Sequence, residues 1–438
     1  MVIAHFSGRS RLDACPGALQ VHAAADGGLA RVRVPGGRLT TSQLRELAGA
    51  ASTYGSGVIE LTSRANVQVR GLGEGGGFAA RMAAAGLLPS ATHERIRNVL
   101  ASPLTGLDGG GITDVGPLIS ELDRHLCARP ALAALPGRFM FALDDGRGDV
   151  AGLGADATIL PTGPDEAAVV LAGVDGGLRV LLDAAVRALL TAAEEFLAEL
   201  AAQQITAWRI GELEDGPARV AARMRARSGE YPPLPGHDPA RAAGTAASAA
   251  PLRLRPVGLG PVGVVERPRA SADRRVALGV AVPLGRLTSA QAELLAGLAS
   301  CGELRLTPWR GMVLPRLDRK EVAGTAARLA EAGLVTDPAS PWIGVTACTG
   351  RPGCAKSLAD VRADATLAIT SVRNEPADSG TLPVHWAGCE RRCGRPRGRV
   401  ADVVATGDGY RLDLDGRSLA CADIEETAAA MTAARGEL

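Results

Sequence analysis

The pattern of hydrophobic and polar positions repeats itself along the chain. Val34-Pro-Gly-Gly-Arg-Leu-Thr-Thr-Ser-Gln-Leu44 recurs as Val282-Pro-Leu-Gly-Arg-Leu-Thr-Ser-Ala-Gln-Ala292, and residues 79–88 recur as residues 326–335, at an offset of about 248 residues. In each copy the spacing of apolar residues changes from the strand period to the helix period and back. The pattern therefore predicts an internal duplication in which each copy contains a strand, a helix, a strand and a second helix.

Signals for helix ends occur at matching places in the two copies. Thr40-Thr-Ser-Gln43 and Thr288-Ser-Ala-Gln291 have the spacing of a capping box, in which the threonine hydroxyl and the glutamine amide each satisfy a main-chain amide. Gly86 and Gly333 follow the second helical pattern, where glycine suits a left-handed residue. Between the copies, residues 228–270 are rich in proline and alanine and are predicted to form a linker.

Composition narrows the class of protein. The chain has 438 residues, of which 46% are hydrophobic and 22% charged, and its net charge is +1. Such a balance is typical of a globular protein and lacks the broad positive field that non-specific nucleic-acid binding requires. The glycine runs 74–77 and 108–111 lack the G-x-G-x-x-G spacing and the P-loop lysine, so we interpret them as turns.

No segment of the sequence is predicted to cross a membrane. The longest apolar helical stretch, residues 178–200, contains six charged side chains and is predicted to be an amphipathic surface helix. The first sixteen residues lack the apolar core of a secretory signal. We therefore expect a cytoplasmic protein without a membrane partner.

Four of the eight cysteines form two close pairs in loops that contain glycine and proline. The pairs are Cys348-x5-Cys354 and Cys389-x3-Cys393, and arginines and Lys356 surround them. Four thiolates are the ligand set of an iron–sulfur cube, and nearby cations are expected to lower the thiol pKa values. The spacing fits a zinc site less well, but spacing alone leaves a cluster, a zinc site and incidental thiols open.

The first copy is expected to lack these thiols. Carrying the repeat offset onward places Ser102 opposite Cys348 and Ala142 opposite Cys389. The duplication thus predicts one half with metal-binding chemistry and one half without it.

Several phrases together resemble the sulfite and nitrite reductase superfamily over nearly the whole chain. They are the two cysteine pairs, residues 61–68 (LTSRANVQ), 97–99 (RNV) and 135–139 (LPGRF). Within this superfamily, residues 13–17 (DACPG), 143–146 (LDDG) and 385–396 (HWAGCERRCGRP) are most similar to the precorrin-3B synthases of aerobic cobalamin biosynthesis.

The resemblance implies a fold and a domain order. The fold class is α+β, an internally duplicated sulfite/nitrite reductase-like architecture with two ferredoxin-like half-modules and two larger sheet-and-helix modules. The expected boundaries are residues 1–78 and 271–337 for the half-modules, 79–227 and 338–438 for the larger modules, and 228–270 for the linker. The second larger module would carry the cluster.

The resemblance also implies the residues of the site. Cys348, Cys354, Cys389 and Cys393 would bind a [4Fe-4S] cluster. Four further residues, at matching motif positions, would bind the carboxylates of a tetrapyrrole: Arg64, Gln68, Arg97 and Arg138. Arginine suits this role because its planar fork matches a carboxylate.

One departure from the reductases bears on the substrate. In the phrase that corresponds to residues 135–139 (LPGRF), the reductases keep a lysine two residues after the basic residue that matches Arg138. This chain has Met140 at that position. Reduction of a small oxyanion depends on several cations around it. The loss of one cation therefore argues against sulfite or nitrite reduction and favours a large substrate.

The expected function is oxygen-dependent hydroxylation of precorrin-3A at ring carbon 20, with lactone formation. Dioxygen would be the oxidant, and NADH, a reductase or a ferredoxin would donate electrons. The resemblance also hints at a mononuclear non-haem iron, but no pattern among the six histidines identifies its ligands. Two alternatives stay open: a sirohaem-dependent sulfite or nitrite reductase, and a non-catalytic binding protein stabilised by zinc or a cluster.

Overall fold

A computed structural model describes residues 9, 13–73, 76–227, 229, 259–268, 274–371 and 382–436. Most of the predicted linker and part of the glycine run 74–77 lie outside these residues. The chain forms two compact units. Unit 1 draws on described residues within Met1–Gln20, Val32–Arg38 and Gly86–Gly258, and unit 2 on those within Val21–Arg31, Leu39–Ala85 and Leu259–Leu438.

Helices and strands alternate along the described residues. The α-helices are α1 (Thr41–Tyr54), α2 (Gly77–Ala84), α3 (Gly116–Cys127), α4 (Ala185–Gln203), α5 (Gly216–Ala226), α6 (Ser289–Leu298), α7 (Val322–Glu331), α8 (Val361–Ser371) and α9 (Ile424–Arg435). The strands of the first half are β1 (His22–Ala24), β2 (Gly27–Val32), β3 (Arg38–Thr40), β4 (Val58–Leu61), β5 (Val67–Leu72), β6 (Val99–Ala101), β7 (Phe141–Leu143), β8 (Ala157–Pro161), β9 (Glu166–Leu171) and β10 (Val174–Leu181). Those of the second half are β11 (Gly263–Val265), β12 (Val276–Ala281), β13 (Arg286–Thr288), β14 (Glu303–Leu306), β15 (Gly311–Leu317), β16 (Val345–Ala347), β17 (Val384–Ala387), β18 (Ala401–Ala405), β19 (Tyr410–Leu414) and β20 (Arg417–Cys421).

The predicted duplication is confirmed by two five-stranded sheets with matching order. The first has the order β1-β2-β5-β4-β13 and the second β11-β12-β15-β14-β3. Each copy therefore places one strand in the sheet of the other copy, as in the antiparallel pairing of Leu287 with Ile59. The sequence pattern did not predict this exchange, because β3 and β13 are only three residues long.

The predicted helix ends are also confirmed. The Thr40 hydroxyl accepts the Gln43 amide at 3.1 Å, and the Gln43 side chain accepts the Thr40 amide at 3.1 Å. The same reciprocal pair is present at Thr288, the residue before α6. Gly86 and Gly333 have φ angles of 72° and 78°, the left-handed region that glycine adopts without strain.

The two larger modules contain sheets of the same construction. The sheet of unit 1 has the order β10-β9-β8-β7-β6, and that of unit 2 the order β16-β17-β18-β19-β20. In both, the first three strands along the chain are parallel and the last two antiparallel. Side chains at the carboxyl ends of neighbouring parallel strands therefore meet at one edge.

Helix α4 corrects one prediction. It begins at Ala185, because residues 178–181 end strand β10, and it lies in the core rather than on the surface. Its buried carboxylates Glu195 and Glu199 pair with arginines of α5, at 2.6 Å between Glu195 and Arg223. The charges that suggested a surface helix are thus neutralised by a neighbouring helix. Among the described residues, no helix has the length and apolar character needed to cross a bilayer.

The core of the second larger module lies between its sheet and helices α8 and α9. Trp386 on β17 is fully buried and packs edge-on against Tyr410, with 5.1 Å between ring centroids. The predicted linker is shorter than residues 228–270, because β11 lies within it and pairs antiparallel with β12.

Candidate functional site

The four predicted cysteines lie in two adjacent loops of unit 2. Cys348 follows β16 directly, and Cys389 comes two residues after β17, which is parallel to β16. The Cys348 amide donates to Trp386 O at 2.9 Å, and the Leu358 amide donates to Gly388 O at 2.8 Å. We call the loops 348–360 and 388–400 at these strand ends the cysteine edge.

Glycine allows the main chain to approach sulfur at this edge. The Gly388 amide donates to the Cys348 Sγ at 3.2 Å. A β-carbon at position 388 would lie 1.8 Å from the Ser357 hydroxyl, so the close packing of the two loops requires glycine there. An amide directed at a ligand sulfur stabilises its negative charge and influences the reduction potential of an iron–sulfur cluster.

The four thiols are not gathered around one point. Tetrahedral zinc with bonds of about 2.3 Å would hold four sulfurs about 3.8 Å apart. Within the described part of the chain, the groups of three potential metal ligands whose donor atoms lie within 4.8 Å of one another include no set of these cysteines. As described, the cysteine edge therefore does not have the geometry of a tetrahedral zinc site.

One electrostatic expectation about the thiols is wrong. Burial raises the pKa of Cys348, and the neighbouring thiols of Cys393 and Cys389 raise it further, while the amides of Gly388 and Gly350 oppose the shift. Two of the arginines near the thiols are themselves paired with a carboxylate. Arg392 and Arg395 pair with the buried Asp402 at 2.9 and 2.8 Å.

His385 lies beside the second cysteine loop and is fully buried. Its Nδ1 is 2.9 Å from the Thr346 hydroxyl, which itself donates to Val384 O at 3.1 Å. Burial and the charge of Arg310 lower the pKa of His385 to about 3, so its ring is neutral.

A chain of polar side chains connects the first half-domain sheet to the cysteine edge. Glu60 on β4 pairs with Arg362 at 2.6 Å and accepts from the Gln68 amide at 2.6 Å, and Arg31 donates to Gln68 at 2.9 Å. Arg362 Nε donates to Cys348 O at 3.2 Å. We call Arg31, Gln68, Glu60 and Arg362 the Glu60 network.

Sequence reasoning identified Gln68 but missed the other three members of this network. An acidic residue within the apolar run Val58-Ile-Glu-Leu61 is the signal that could have found Glu60. A buried carboxylate needs a charged or hydrogen-bonding partner, and Glu60 is only 6% exposed.

The three predicted arginines have different surroundings. Arg64 lies in the turn between β4 and β5 in unit 2, where the Thr62 hydroxyl accepts its amide at 3.3 Å. Arg138 lies in unit 1, half exposed, with its guanidinium 4.6 Å from the Trp208 ring centroid and 3.8 Å from Asp13. Its outer edge is open to a ligand.

Arg97 is engaged within unit 1. Its Nε and Nη2 donate to Asp123 at 2.6 and 2.7 Å, and its Nη1 donates to Leu87 O at 3.0 Å. The side chain is 5% exposed. These contacts favour a structural role for Arg97 over ligand binding.

Met140 presents no side chain to a ligand. It is 3% exposed, and its amide donates to the buried carboxylate of Asp156 at 2.9 Å. The side chain at position 140 therefore belongs to the core.

In unit 1 the corresponding strand ends carry oxygen instead of sulfur. Ser102 follows β6 as Cys348 follows β16, and its amide donates to Leu143 O at 3.1 Å. The Asp145 amide donates to the Ser102 hydroxyl at 3.1 Å, as Gly388 does to Cys348. Ser102 with Asp144, Asp145 and Asp149 is called the aspartate edge below.

The strand register confirms one predicted equivalence and corrects another. Ser102 and Cys348 occupy the same place, but Ala142 pairs with Leu100 as His385 pairs with Thr346. Ala142 is therefore equivalent to His385, and Gly146 to Cys389. The prediction was wrong because the connection before β7 and that before β17 differ in length.

Comparison with known proteins agrees with the fold. Residues 22–75 and 267–332 match the family described as the nitrite/sulfite reductase ferredoxin-like half domain. A ferredoxin–nitrite reductase of Synechococcus elongatus is 27% identical over 88% of this chain and 77% of its own length. A precorrin-3B synthase of Sinorhizobium sp is 27% identical over 93% of this chain and 83% of its own length.

A solved structure shows the same architecture. The NirA protein of Mycobacterium tuberculosis superposes with a TM-score of 0.69 at 21% identity, covering 90% of this chain and 77% of that one. The chain therefore has the architecture of the nitrite and sulfite reductases and contains two copies of their ferredoxin-like half domain. A nitrite reductase and a precorrin-3B synthase are equally similar to it in sequence.

Proposed function

We propose that the chain is a precorrin-3B synthase, which hydroxylates precorrin-3A at ring carbon 20 with dioxygen and forms a lactone. The observation that carries the proposal is Met140. A buried methionine stands where the reductases keep a lysine for a small oxyanion, and its main-chain amide is held by Asp156. A site that has lost this cation is less suited to binding sulfite or nitrite.

The arginines support a substrate that carries several carboxylates. Arg138 stacks on Trp208, which fixes the plane of its guanidinium while its outer edge is half exposed. In unit 2, burial and the charge of Arg362 lower the pKa of Arg310 to about 10. Arginines held close together in this way favour a bound anion, because an anion would relieve their mutual repulsion. We propose Arg64 and Arg138 as carboxylate ligands, each within its own unit.

The four cysteines would hold a [4Fe-4S] cluster, which supplies one-electron transfer when it is bound. The overall reaction needs two electrons and two protons from an external donor, either NADH through a reductase or a ferredoxin. One atom of dioxygen forms the new bond to ring carbon 20, and the other leaves as water. The role of this chain's residues is to bind and orient the macrocycle and to exclude competing water.

A mononuclear non-haem iron, which the resemblance also implies, is not assigned to residues. Among the described residues, no histidine belongs to a group of three close metal ligands, and His5 and His237 lie outside them.

A sirohaem-dependent nitrite or sulfite reductase is the second candidate. The observation in its favour is the 27% identity to the Synechococcus elongatus nitrite reductase over most of both chains. Both functions use a carboxylate-rich macrocycle, so the arginines do not separate them. The absorption spectrum of the purified protein and its turnover of nitrite or sulfite do separate the two functions.

The decisive experiment is anaerobic purification, followed by iron and sulfide analysis and incubation with precorrin-3A, a reductant and labelled dioxygen. We expect a product that has gained one labelled oxygen atom, and no turnover of nitrite or sulfite. Isobacteriochlorin absorption together with nitrite or sulfite reduction would refute the proposal and support the second candidate. In the same assay Arg64→Ala should weaken tetrapyrrole binding by about 2 kcal/mol, the loss typical of a charged hydrogen bond.

A further inference from the structure

Glu60 is the central residue of the Glu60 network, and both of its carboxylate oxygens have a partner. One oxygen pairs with Arg362 and the other accepts from Gln68, each at 2.6 Å. The side chains of Glu60 and Arg362 are 8% and 16% exposed. Charges this far removed from solvent influence their neighbours more strongly than surface charges do.

The network ends on the main chain of a cysteine ligand. Arg362 Nε donates to Cys348 O at 3.2 Å, and the Cys348 thiol accepts the Gly388 amide. An arginine of the first half-domain sheet contacts the same loop, since Arg70 on β5 donates to Gly353 O at 2.7 Å while paired with Asp26. The loop that begins at Cys348 is thus held by Arg362 of α8, which pairs with Glu60 of the half-domain sheet, and by Arg70.

Glu60 also balances a concentration of positive charge. Arg286 and Arg310 both have lowered pKa values, through burial and then through Arg362, and Glu60 opposes the shift in each. Removal of Glu60 would leave Arg362 and its neighbours without this compensation. Removal of Arg362 would instead leave a buried carboxylate unpaired.

We propose that Glu60 and Arg362 are positioning residues for the iron–sulfur cluster, which fix the main chain of Cys348 and set the charge that the cluster experiences. The proposal rests on the cluster of the proposed function. Reduction adds negative charge to a cluster, so its reduction potential rises when a nearby negative charge is removed and falls when a positive one is removed. The two residues therefore have opposite predicted effects, which a purely structural role would not produce.

The test is redox titration of the purified full-length chain, followed by EPR, with iron and sulfide measured per chain. Glu60→Gln is expected to raise the midpoint potential above that of the wild type, and Arg362→Gln to lower it. Arg362→Lys keeps the charge and should return the midpoint potential most of the way to the wild-type value. Should Arg362→Gln lose its iron, Glu60→Gln and Arg362→Lys still decide the matter.

The matched control is Glu195→Gln. Glu195 is also 8% exposed and also paired with arginine, but it belongs to unit 1. Glu195→Gln should lower thermal stability without changing the midpoint potential of the cluster. Shifts of the same sign in Glu60→Gln and Arg362→Gln, or no shift at full iron content, would overturn the proposal. A wild-type chain without iron and sulfide would overturn the proposed function itself, and the wild-type analysis alone reveals that case.

Discussion

The cysteine edge and the aspartate edge have the same main-chain hydrogen bonds, but the first carries thiols and the second carries a hydroxyl and carboxylates. In each, the first residue after the first parallel strand donates its amide across to the second strand, and its side chain accepts an amide from the loop that follows. The side-chain acceptor is sulfur in Cys348 and oxygen in Ser102. A duplicated sheet thus keeps its hydrogen bonds while the chemistry at its edge changes.

The two edges differ in which side-chain atoms remain available to bind a ligand. Both oxygens of Asp144 are occupied by main-chain amides of Gly146, Gly148, Val150 and Ala151, at 2.8 to 3.0 Å. Asp145 pairs with Arg147, and Asp149 accepts from Ser102. The aspartate edge therefore satisfies its own polar groups. The cysteine edge presents the four thiols that the proposed cluster would occupy.

The largest predicted effect is the loss of the cluster on substitution of a cysteine at the cysteine edge. Cys389→Ser removes one of four proposed ligands, and we expect the EPR signal and the acid-labile sulfide to disappear. Cys301→Ser is the control, because Cys301 is an exposed thiol on a loop before β14. An unchanged EPR spectrum in Cys389→Ser would refute the ligand assignment.

At the aspartate edge, the corresponding prediction concerns folding. Asp144→Ala would leave four buried amides without their acceptor, and we expect a loss of about 3 kcal/mol in the free energy of unfolding. Asp144→Asn should lose less, since its amide oxygen still accepts. Urea unfolding measures both, and iron content should stay at the wild-type value. A lower iron content together with unchanged stability would contradict the division of roles between the two edges.

A pH dependence should also arise at the aspartate edge. Burial, followed by the charge of Asp144, raises the pKa of Asp149 from 3.8 to about 7. Between these values the folded chain holds a proton that the unfolded chain has released. The resulting stabilisation is complete below about pH 4 and is lost as the pH rises to about 7.

Asp149→Asn tests this prediction, because asparagine resembles the protonated acid and can keep the bond from Ser102. The variant should match the wild type near pH 4 and be more stable than it above pH 7. Urea unfolding across this range is the measurement. Parallel stability curves for the two proteins would show that Asp149 is ionised throughout.

Local signals in the sequence predicted much of the fold. The capping boxes at Thr40 and Thr288 and the left-handed Gly86 and Gly333 depend on neighbouring residues only, and all are confirmed. The equivalence of Ser102 with Cys348 followed from the repeat. The cysteine pairs were expected to share one site because of their ligand chemistry, and the structure places Cys348 and Cys389 after neighbouring parallel strands.

The errors involved partners distant in sequence. Helix α4 was expected on the surface because its glutamates have no visible partner until α5 packs against it. The pairing of Arg97 with Asp123 was likewise not predicted, and the expectation that Arg97 binds a ligand stays a prediction. The exchange of β3 and β13 between sheets depends on three-dimensional pairing that no local pattern encodes.

The smallest predicted effect distinguishes the roles of two arginines in unit 1, the unit that lacks the four thiols of the cysteine edge. Arg138 precedes β7, at the strand end opposite to the aspartate edge, and its guanidinium is half exposed against Trp208. Arg138→Ala should therefore weaken tetrapyrrole binding by about 1 kcal/mol, less than a fully buried charge pair would lose, with little change in stability. Arg97→Ala should do the reverse, because it breaks a buried pair with Asp123. Titration with precorrin-3A and thermal unfolding distinguish the two, and equal losses of affinity would show that unit 1 binds substrate through Arg97 as well.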